Sequence, residues 1–407
     1  MKKLLSLVLC LLLVLGFASV AMAEDSGKIT FYFWDEAQKP AMQDVVKGFN
    51  EIYPDIEVEI TVIPWAQYWT KLQTSLGTAN GPDVMWLNKN YVQVYAEADL
   101  LEPLEGYIEA AGTDMSVFPQ ALKDIYTQQG HVVGIPKDYD TIGLFYNKSI
   151  FDAAGVAYPT NDWTWDDVAA AAETLTGNGI HGFAVCLDDT QSYVEDLVFG
   201  AAGQVITEDT AAWDFNNDGA KAAFEWSMDL LGKGYSPTYY ELQEISAHDR
   251  FQAGLLAMYQ AGSWNAATYC EALGAENVGV VEIPAKAQEA NVIHGLGICI
   301  NKASEKKDLA FKFASYFATE QAAEAQAQVV IPAHNGGAEL WLAKLPIDAT
   351  CFTEAAQYAT PIASPTVEYA KQSELYTTWA LKIWTGEVSV EEGLASLTAE
   401  SATLAGK

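Results

Sequence analysis

Acidic and aromatic side chains occur side by side in two short segments, and this combination suits carbohydrate chemistry. The segments are Trp34-Asp35-Glu36 and Asp138-Tyr139-Asp140. Two carboxyl groups within reach of one glycosidic bond would allow its hydrolysis. Flat rings cover the apolar faces of sugar rings, and carboxylates also bind sugar hydroxyls without reaction. These residues therefore fit either a glycosidase or a protein that only binds sugar.

The elements that must position these residues alternate between strands and helices. Apolar runs of strand length occupy residues 29–34, 56–63 and 83–87. Helical patterning after each run predicts a mostly parallel sheet with helices on both faces. Ligands of such sheets bind beyond the carboxyl ends of the strands. Trp34 ends the first run, and Asp35, Trp65 and Asn88 follow the three runs; all four are candidate contacts.

The next segment would carry the chain from this sheet into a second lobe. Residues 142–146 are predicted as a buried strand and residues 149–154 as a short helix. Thr164 and Asp167 have the spacing of a capping box, which predicts the start of another helix. The Asp138-Tyr139-Asp140 segment lies just before the buried strand, where the chain would enter a second lobe.

The second half of the chain supplies further candidates. Residues 181–186 are predicted as a strand, followed by Gln191 and Tyr193 on a loop or helix start. Residues 251–264 have the pattern of a helix end, a strand and a glycine turn that projects Trp264.

The first residues have the pattern of a signal peptide. Lys2 and Lys3 precede an apolar run at residues 4–17, and Ala21-Met22-Ala23 is a small-x-small cleavage site. The run is too short for a stable membrane anchor. We expect an exported chain, cleaved near Ala23, that works in the periplasm or on the outer face of the cell membrane.

Charge narrows the choice of ligand. The 54 Asp and Glu outweigh the 22 Lys and Arg, giving a net charge of −32, which argues against nucleic acid as a partner. Arg250 is the single arginine, and planar recognition of carboxylate or phosphate normally depends on arginine. A neutral ligand is expected.

The cysteines show no ligand spacing. Cys186, Cys270, Cys299 and Cys351 lie far apart, without Cys-x-x-Cys or Cys/His patterns. We expect no metal and no cofactor, and most simply buried thiols, with distant disulfides left open.

Several motifs, in one order, resemble a known family. They are IPKDYDTIGLFYNK at 135–148, FDAAGVAYP at 151–159 and WTWDD at 163–167, with further matches at 33–42, 49–58, 71–88, 95–104, 251–264, 292–301 and 331–337. Together they resemble the extracellular solute-binding proteins (family 1) of ABC importers, the carbohydrate-binding group that includes maltose-binding protein.

The resemblance implies a fold and a mode of action. The fold would be α/β, of the two-lobed periplasmic-binding-protein type II, with a hinge where the chain crosses near residues 136–140 and 292–297. Lobe one would comprise residues 24–137 plus 292–340, after a signal peptide at 1–23, and lobe two residues 138–291 plus 341–407. A monomer would close on a neutral mono- or oligosaccharide and deliver it to an ABC importer permease, without catalysis.

The resemblance and the positions of the residues together define a candidate site. In the family, the Trp corresponding to Trp264 stacks on bound sugar. The predicted ligand-binding residues are Trp264, Asp140, Trp34, Asp35, Trp65, Asn88, Asp138, Tyr139, Gln191, Tyr193 and Gly295. A secreted glycosidase that uses Asp35, Glu36, Asp138 or Asp140 is the alternative from another class, and a binder of cations is allowed by the charge.

Overall fold

The computed structural model describes residues 26–206, 212–361 and 368–406. The predicted signal peptide lies outside these residues. In the first part of the chain the elements are β1 (Gly27–Phe33), α1 (Lys39–Ile52), β2 (Ile56–Val62), α2 (Trp65–Ser75), β3 (Val84–Asn88), α3 (Lys89–Glu97), α4 (Glu105–Ala111), α5 (Gln120–Ile125), β4 (Thr127–Gln128), β5 (His131–Val132) and β6 (Gly134–Asp140).

The middle of the chain forms another set of strands and helices. These are β7 (Ile142–Asn147), α6 (Lys148–Ala154), α7 (Trp165–Leu175), a π-helix (Thr190–Val194), α8 (Glu195–Gly200), α9 (Asp218–Gly232), α10 (Tyr239–Glu244), α11 (Ala247–Gln252), β8 (Met258–Gly262), α12 (Ala266–Leu273) and β9 (Val278–Val281).

The last part of the chain begins with a strand and ends in helices. Its elements are β10 (Val292–Ile300), α13 (Lys307–Tyr316), α14 (Glu320–Gln326), β11 (Ile331–Pro332), α15 (Gly337–Lys344), α16 (Thr350–Ala355), β12 (Thr360–Pro361), α17 (Tyr369–Trp384) and α18 (Val390–Leu404). No helix in the described ranges is long and apolar enough to span a bilayer.

Two sheets form the centres of two lobes. The larger has the strand order β11-β6-β10-β3-β1-β2, with β12 beside β10, and the smaller has the order β8-β7-β9. In the larger sheet β1 pairs in parallel with β2 and β3, whereas β10 runs antiparallel to β3 and β6. β6 continues in this sheet as far as Asp140, three residues beyond the expected end of lobe one.

The two-lobed α/β architecture is confirmed, but the mostly parallel pairing is wrong for lobe two and only partly right for lobe one. In the smaller sheet β7 is antiparallel to both β8 and β9. In the larger sheet β10 returns from the other lobe and therefore runs against its neighbours. The strand expected at residues 181–186 is also wrong: these residues form only an isolated bridge, from His181 to Leu256, just before β8.

Each lobe has its own apolar core. In lobe one, Phe31, Phe33 and Trp86 pack with Phe313 of α13 and with Phe317, the residue just after that helix. The core of lobe two lies under β7 and includes aromatic side chains from distant elements, such as Phe145, Trp165, Tyr269 and Phe352. Cys186, Cys270, Cys299 and Cys351 are buried free thiols.

The chain crosses between the lobes on neighbouring strands. Thr141 links β6 to β7, and its hydroxyl donates to the carbonyl of Phe352 at 2.7 Å. Asn291, just before β10, holds the same point: its amide accepts from the N–H of Ile142 at 2.9 Å and donates to the Ile142 carbonyl at 2.7 Å. The two crossings are thus hydrogen-bonded side by side. The capping box of Thr164 and Asp167 at the start of α7 is confirmed.

A cleft between the lobes

A cavity of about 880 Å³ lies between the two lobes. Its walls come from the carboxyl ends of β1 and β3, from both crossings, from the π-helix and from the segment after β8. From lobe one and the crossings the lining includes Trp34, Asp35, Gln38, Trp65, Trp69, Asn88, Asn90, Tyr91, Asp138, Tyr139, Asp140 and His294. From lobe two it includes Asp188, Asp189, Gln191, His248, Ser263, Trp264, Asn265, Tyr369, Ser373 and Trp384.

Aromatic rings form the lobe-one wall, which we call the aromatic wall: Trp34, Trp65, Trp69 and Tyr91. Trp65 contacts Trp34 and Trp69 edge-on, with both ring-centroid distances at 5.2 Å. Trp69 stacks flat on Tyr91 at 3.5 Å. Trp65 is 51% exposed, unusually high for a tryptophan. The wall therefore presents apolar ring surface to whatever occupies the cleft.

One lobe-two residue already touches this wall. The Tyr369 ring meets Tyr91 edge-on at 5.2 Å, and the Asn90 amide donates to the Tyr369 hydroxyl at 3.0 Å. Burial raises the pKa of Tyr91 to about 12. The Tyr91 phenol, like any tyrosine at neutral pH, can donate a hydrogen bond.

A chain of polar groups leads from Asp35 to Asp138. Asp35 accepts from the Gln38 amide at 2.9 Å, and the Gln38 oxygen accepts from the Lys137 ammonium at 2.8 Å. Lys137 forms a buried ion pair with Asp138 and lies 4.1 Å from the centroid of the Trp86 ring. Burial lowers the pKa of Lys137 and raises the pKa of Asp138, while their mutual attraction opposes both shifts. The chain anchors Asp35 and Asp138 to lobe one.

Asp140 is held from both lobes. One carboxylate oxygen accepts from the Gln191 amide of the π-helix at 2.8 Å, and the other lies 3.4 Å from Nδ1 of His294 on β10. The π-helix is a rare form that often marks functional positions, and here it carries Gln191 to the crossing. Both oxygens of Asp140 are thus engaged by the protein, so its carboxylate also orients neighbouring side chains.

Trp264 forms the lobe-two side of the cleft. It lies in a short 3₁₀ turn at Ser263–Asn265 that follows β8 directly. Its ring packs on Gly262 so closely that a Cβ there would lie 1.8 Å from a ring carbon. The backbone of Gly262 has φ −78°, which any residue can adopt. Gly262 is therefore required because the Trp264 ring occupies the space that a side chain would need, and not because of the backbone conformation.

Acidic groups at the start of the π-helix also face the cleft. Asp189 accepts from the N–H of Ser192 at 2.8 Å, as the cap of that helix. Burial raises the pKa values of both Asp188 and Asp189. The single arginine lies elsewhere: Arg250 donates to the backbone carbonyls of Ile245 and Glu241. The lobe-two wall thus offers acceptors and no guanidinium.

The cleft brings together all but two of the residues predicted from the sequence. Tyr193 is not among its lining residues; it is 1% exposed, and its hydroxyl lies 2.9 Å from Oγ of Ser227 in the lobe-two core. Gly295 is the other exception, and its carbonyl accepts from Tyr126 at 2.9 Å. Asn88 lines the cleft, but its side chain caps α3 by accepting from the N–H of Tyr91. Glu36, named for the glycosidase alternative, is exposed and paired with Lys39.

Other cleft residues were missed. Trp69 and Tyr91 lie on helices, where an aromatic residue indicates core packing as readily as a binding surface. His294 is a single polar residue within β10, and Ser263 is a single polar residue just after β8. Tyr369 belongs to the C-terminal region, whose place beside lobe one depends on tertiary packing. Only the adjacency of Ser263 to Trp264 was a usable signal in the sequence.

Some buried polar atoms of the cleft have no hydrogen-bond partner within the described part of the chain. They belong to residues of both lobes: Trp69 Nε1, Asn90 Oδ1, Ser263 Oγ and His294 Nε2. Because an unpaired buried polar atom costs free energy, these atoms are free to bind a polar ligand or water. Among the described residues no group of His, Cys, Asp and Glu is placed to hold a metal ion.

Two α/β lobes, paired crossings and a cleft lined with aromatic and polar groups define a two-lobed solute-binding protein. The sequence matches, over residues 44–335, the family described as bacterial extracellular solute-binding proteins. The chain belongs to this family.

Relatives with known structures share the fold over nearly the whole chain. An ABC substrate-binding protein from Listeria monocytogenes, in complex with cycloalternan, is 28% identical, with a TM-score of 0.87 over 94% of this chain and 99% of that one. A solute-binding protein from Thermotoga lettingae, bound with α-D-tagatose, is 24% identical, with a TM-score of 0.82 over 93% and 100%. The galactooligosaccharide-binding protein of Bacillus subtilis is 22% identical, and the match covers 75% of this chain and 72% of that protein.

Proposed function

We propose that this protein captures a neutral sugar or oligosaccharide between its lobes and delivers it to an ABC importer permease. The carrying observation is the cleft itself, which is lined by aromatic rings from both lobes and by polar atoms that have no partner in the described part of the chain. Rings for apolar faces and polar atoms for hydroxyls are what sugar recognition needs. The sugars named for the Listeria, Thermotoga and Bacillus relatives support the same ligand class.

A neutral ligand follows from the charges in the cleft. The arginine is committed to backbone carbonyls, and the Lys137 ammonium is paired with Asp138. An anionic ligand would therefore meet Asp35, Asp140 and Asp188 without a free counter-charge from these cations.

Binding without catalysis is the corresponding proposal for the carboxylates. Asp138 is paired with Lys137 and accepts from the N–H of Leu296 at 3.1 Å, and Asp140 is shared by Gln191 and His294. These contacts give both groups positioning roles and compete with acid or nucleophile chemistry. Incubation with oligosaccharides should yield no hydrolysis products. Sugar affinity should also survive exhaustive chelation, because the proposed binding uses no metal or other cofactor.

Signalling to the permease would use hinge closure of a monomer, exported after cleavage near Ala23. Trp264 and the aromatic wall lie on opposite lobes, so a ligand touches both best in the closed form. A ligand that binds the closed form better shifts the population toward it. Small-angle scattering should show a smaller radius of gyration with sugar than without, and an unchanged radius would remove this part of the proposal.

The direct test is a calorimetric screen of the mature protein against neutral oligosaccharides, amino acids and phosphate esters. We expect one sugar class to bind. Trp264→Ala should weaken that binding by on the order of 2 kcal/mol, or about 30-fold, as expected for a buried aromatic anchor. Trp379→Ala is the matched control, because Trp379 lies on α17 outside the cleft and contacts Glu400. Tight binding of an amino acid or phosphate ester, with none of any sugar, would overturn the proposal.

A further inference from the structure

Two of the unpartnered polar atoms lie on the floor of the cleft, where the chain crosses between lobes. They are Nε2 of His294 and Oγ of Ser263, and the two residues are 4% and 1% exposed, respectively. The N–H of Ser263 donates to the carbonyl of Thr141 at 3.0 Å. Thr141 follows Asp140 in the sequence, and Asp140 lies opposite His294 in the pairing of β6 with β10. Both residues are therefore fixed to the same point of the fold.

The contacts of Asp140 determine which nitrogen of His294 carries the proton. An ionised carboxylate can only accept hydrogen bonds, so in a His294 ring with a single N–H the proton on Nδ1, 3.4 Å from Asp140, is the one that this contact favours. Gln191 keeps the carboxylate in place from the other lobe. In that tautomer Nε2 carries a lone pair; His294 lines the cleft, and its Nε2 has no partner among the described residues.

We propose that His294 is a specificity-determining residue whose Nε2 accepts a hydrogen bond from one hydroxyl of the bound sugar. Ser263 supplies a second polar group at the same floor, and Asp140 acts as a positioning residue through the tautomer of His294. This inference rests on the proposed function. An acceptor at this point requires a donor from the ligand, so an analogue that lacks that hydroxyl leaves Nε2 unpaired and binds more weakly.

A matched pair of substitutions separates Nε2 from the rest of the ring. His294→Asn keeps an amide near the position of Nδ1, to serve Asp140, and removes the group at Nε2. His294→Gln places an amide oxygen near Nε2 instead. Calorimetry would first use maltotriose, lactose, galactobiose and arabinotriose, and then single-position deoxy analogues of the sugar that binds. Circular dichroism and thermal unfolding establish that each variant is folded.

The expected pattern is specific. The wild type should lose at least about tenfold in affinity for one deoxy analogue, and His294→Asn should lose as much for the parent sugar but bind the two equally. His294→Gln should restore most of the affinity. Asp140→Asn, whose amide can donate to Nδ1 and so favour the wrong tautomer, should weaken the parent sugar more than the deoxy analogue.

The outcomes that would overturn the proposal are distinct from failure of the proposed function. If the wild type binds a sugar but the two His294 variants keep full affinity, or lose it equally while folded, His294 does not select the hydroxyl. If each deoxy analogue loses the same affinity relative to the parent sugar in the wild type and in His294→Asn, the same conclusion holds. If no sugar binds the wild type at all, the proposed function fails and this inference fails with it.

Discussion

Replacing Gly262 with alanine tests whether the position of Trp264 matters for binding. The added Cβ would lie 1.8 Å, 2.1 Å and 2.3 Å from three carbons of the Trp264 ring. Non-bonded carbons prefer roughly 3.5–4.0 Å, so the ring edge must move by roughly 2 Å. Because φ at Gly262 is −78°, alanine brings no backbone strain, and the ring is what must yield.

A ring displaced by this distance no longer offers the same face to a sugar. We expect Gly262→Ala to weaken sugar binding by about as much as Trp264→Ala, on the order of 2 kcal/mol or 30-fold. In the Trp264→Ala background the Cβ meets no ring, so adding Gly262→Ala should change affinity by less than about 0.5 kcal/mol. Calorimetry on the wild type, the two single variants and the double variant gives the coupling energy.

Urea unfolding of the same proteins is the control, since overpacking by itself costs roughly 1–3 kcal/mol of stability. Additive losses of affinity in the double variant would refute the reasoning, because Gly262 would then act independently of the ring. Normal binding by a folded Gly262→Ala variant would show that sugar affinity does not depend on the position of the Trp264 ring.

Three further predictions concern the surroundings of the cleft. Tyr193→Phe should lower the free energy of unfolding by roughly 0.5–1.5 kcal/mol, through loss of the contact with Ser227, and leave sugar affinity unchanged, as urea unfolding and calorimetry will show. Lys137→Met should cost roughly 3–5 kcal/mol in urea unfolding by leaving Asp138 buried and unpaired, and adding Asp138→Asn should recover part of that loss. Asp196, on α8, accepts from the N–H of Val292 at the start of β10 at 2.8 Å. Burial raises the pKa of Asp196 well above its usual value, so its contribution to stability is full below the unfolded-state pKa and is lost as pH rises toward the folded-state pKa. Asp196→Asn should therefore raise the urea midpoint at pH 7, with the gain shrinking as pH falls toward 4; an equal gain at both pH values would contradict the assignment.

Local patterns predicted much of the fold. Apolar runs of strand length placed β1, β2, β3 and β7 to within about two residues, because each is a short, buried segment that side-chain pattern and flanking breakers define. The capping box of Thr164 and Asp167 is likewise local, since a cap depends on residues three apart. The resemblance supplied the two-lobed architecture.

Strand direction and the missing strand at 181–186 could not be predicted in this way. Whether β10 runs with or against β3 depends on where the chain has been in between, which no local pattern records. Residues 181–186 have strand-like composition, yet the described sheet of lobe two is completed by β8 and β9 on either side of β7.

The sequence by itself determined the chemical character of the site: tryptophans after strand ends, carboxylates at the crossing and a single arginine. These depend on residue identity and on the rule that strand ends collect at one edge of a sheet. Tertiary structure alone decided which side chains face the cleft. Tyr193 lies in the lobe-two core, where its hydroxyl contacts Ser227. His294 lines the cleft because β10 returns beside β6 and places it next to Asp140. Contacts between residues so distant in the chain follow from packing, which is why no local spacing could have revealed them.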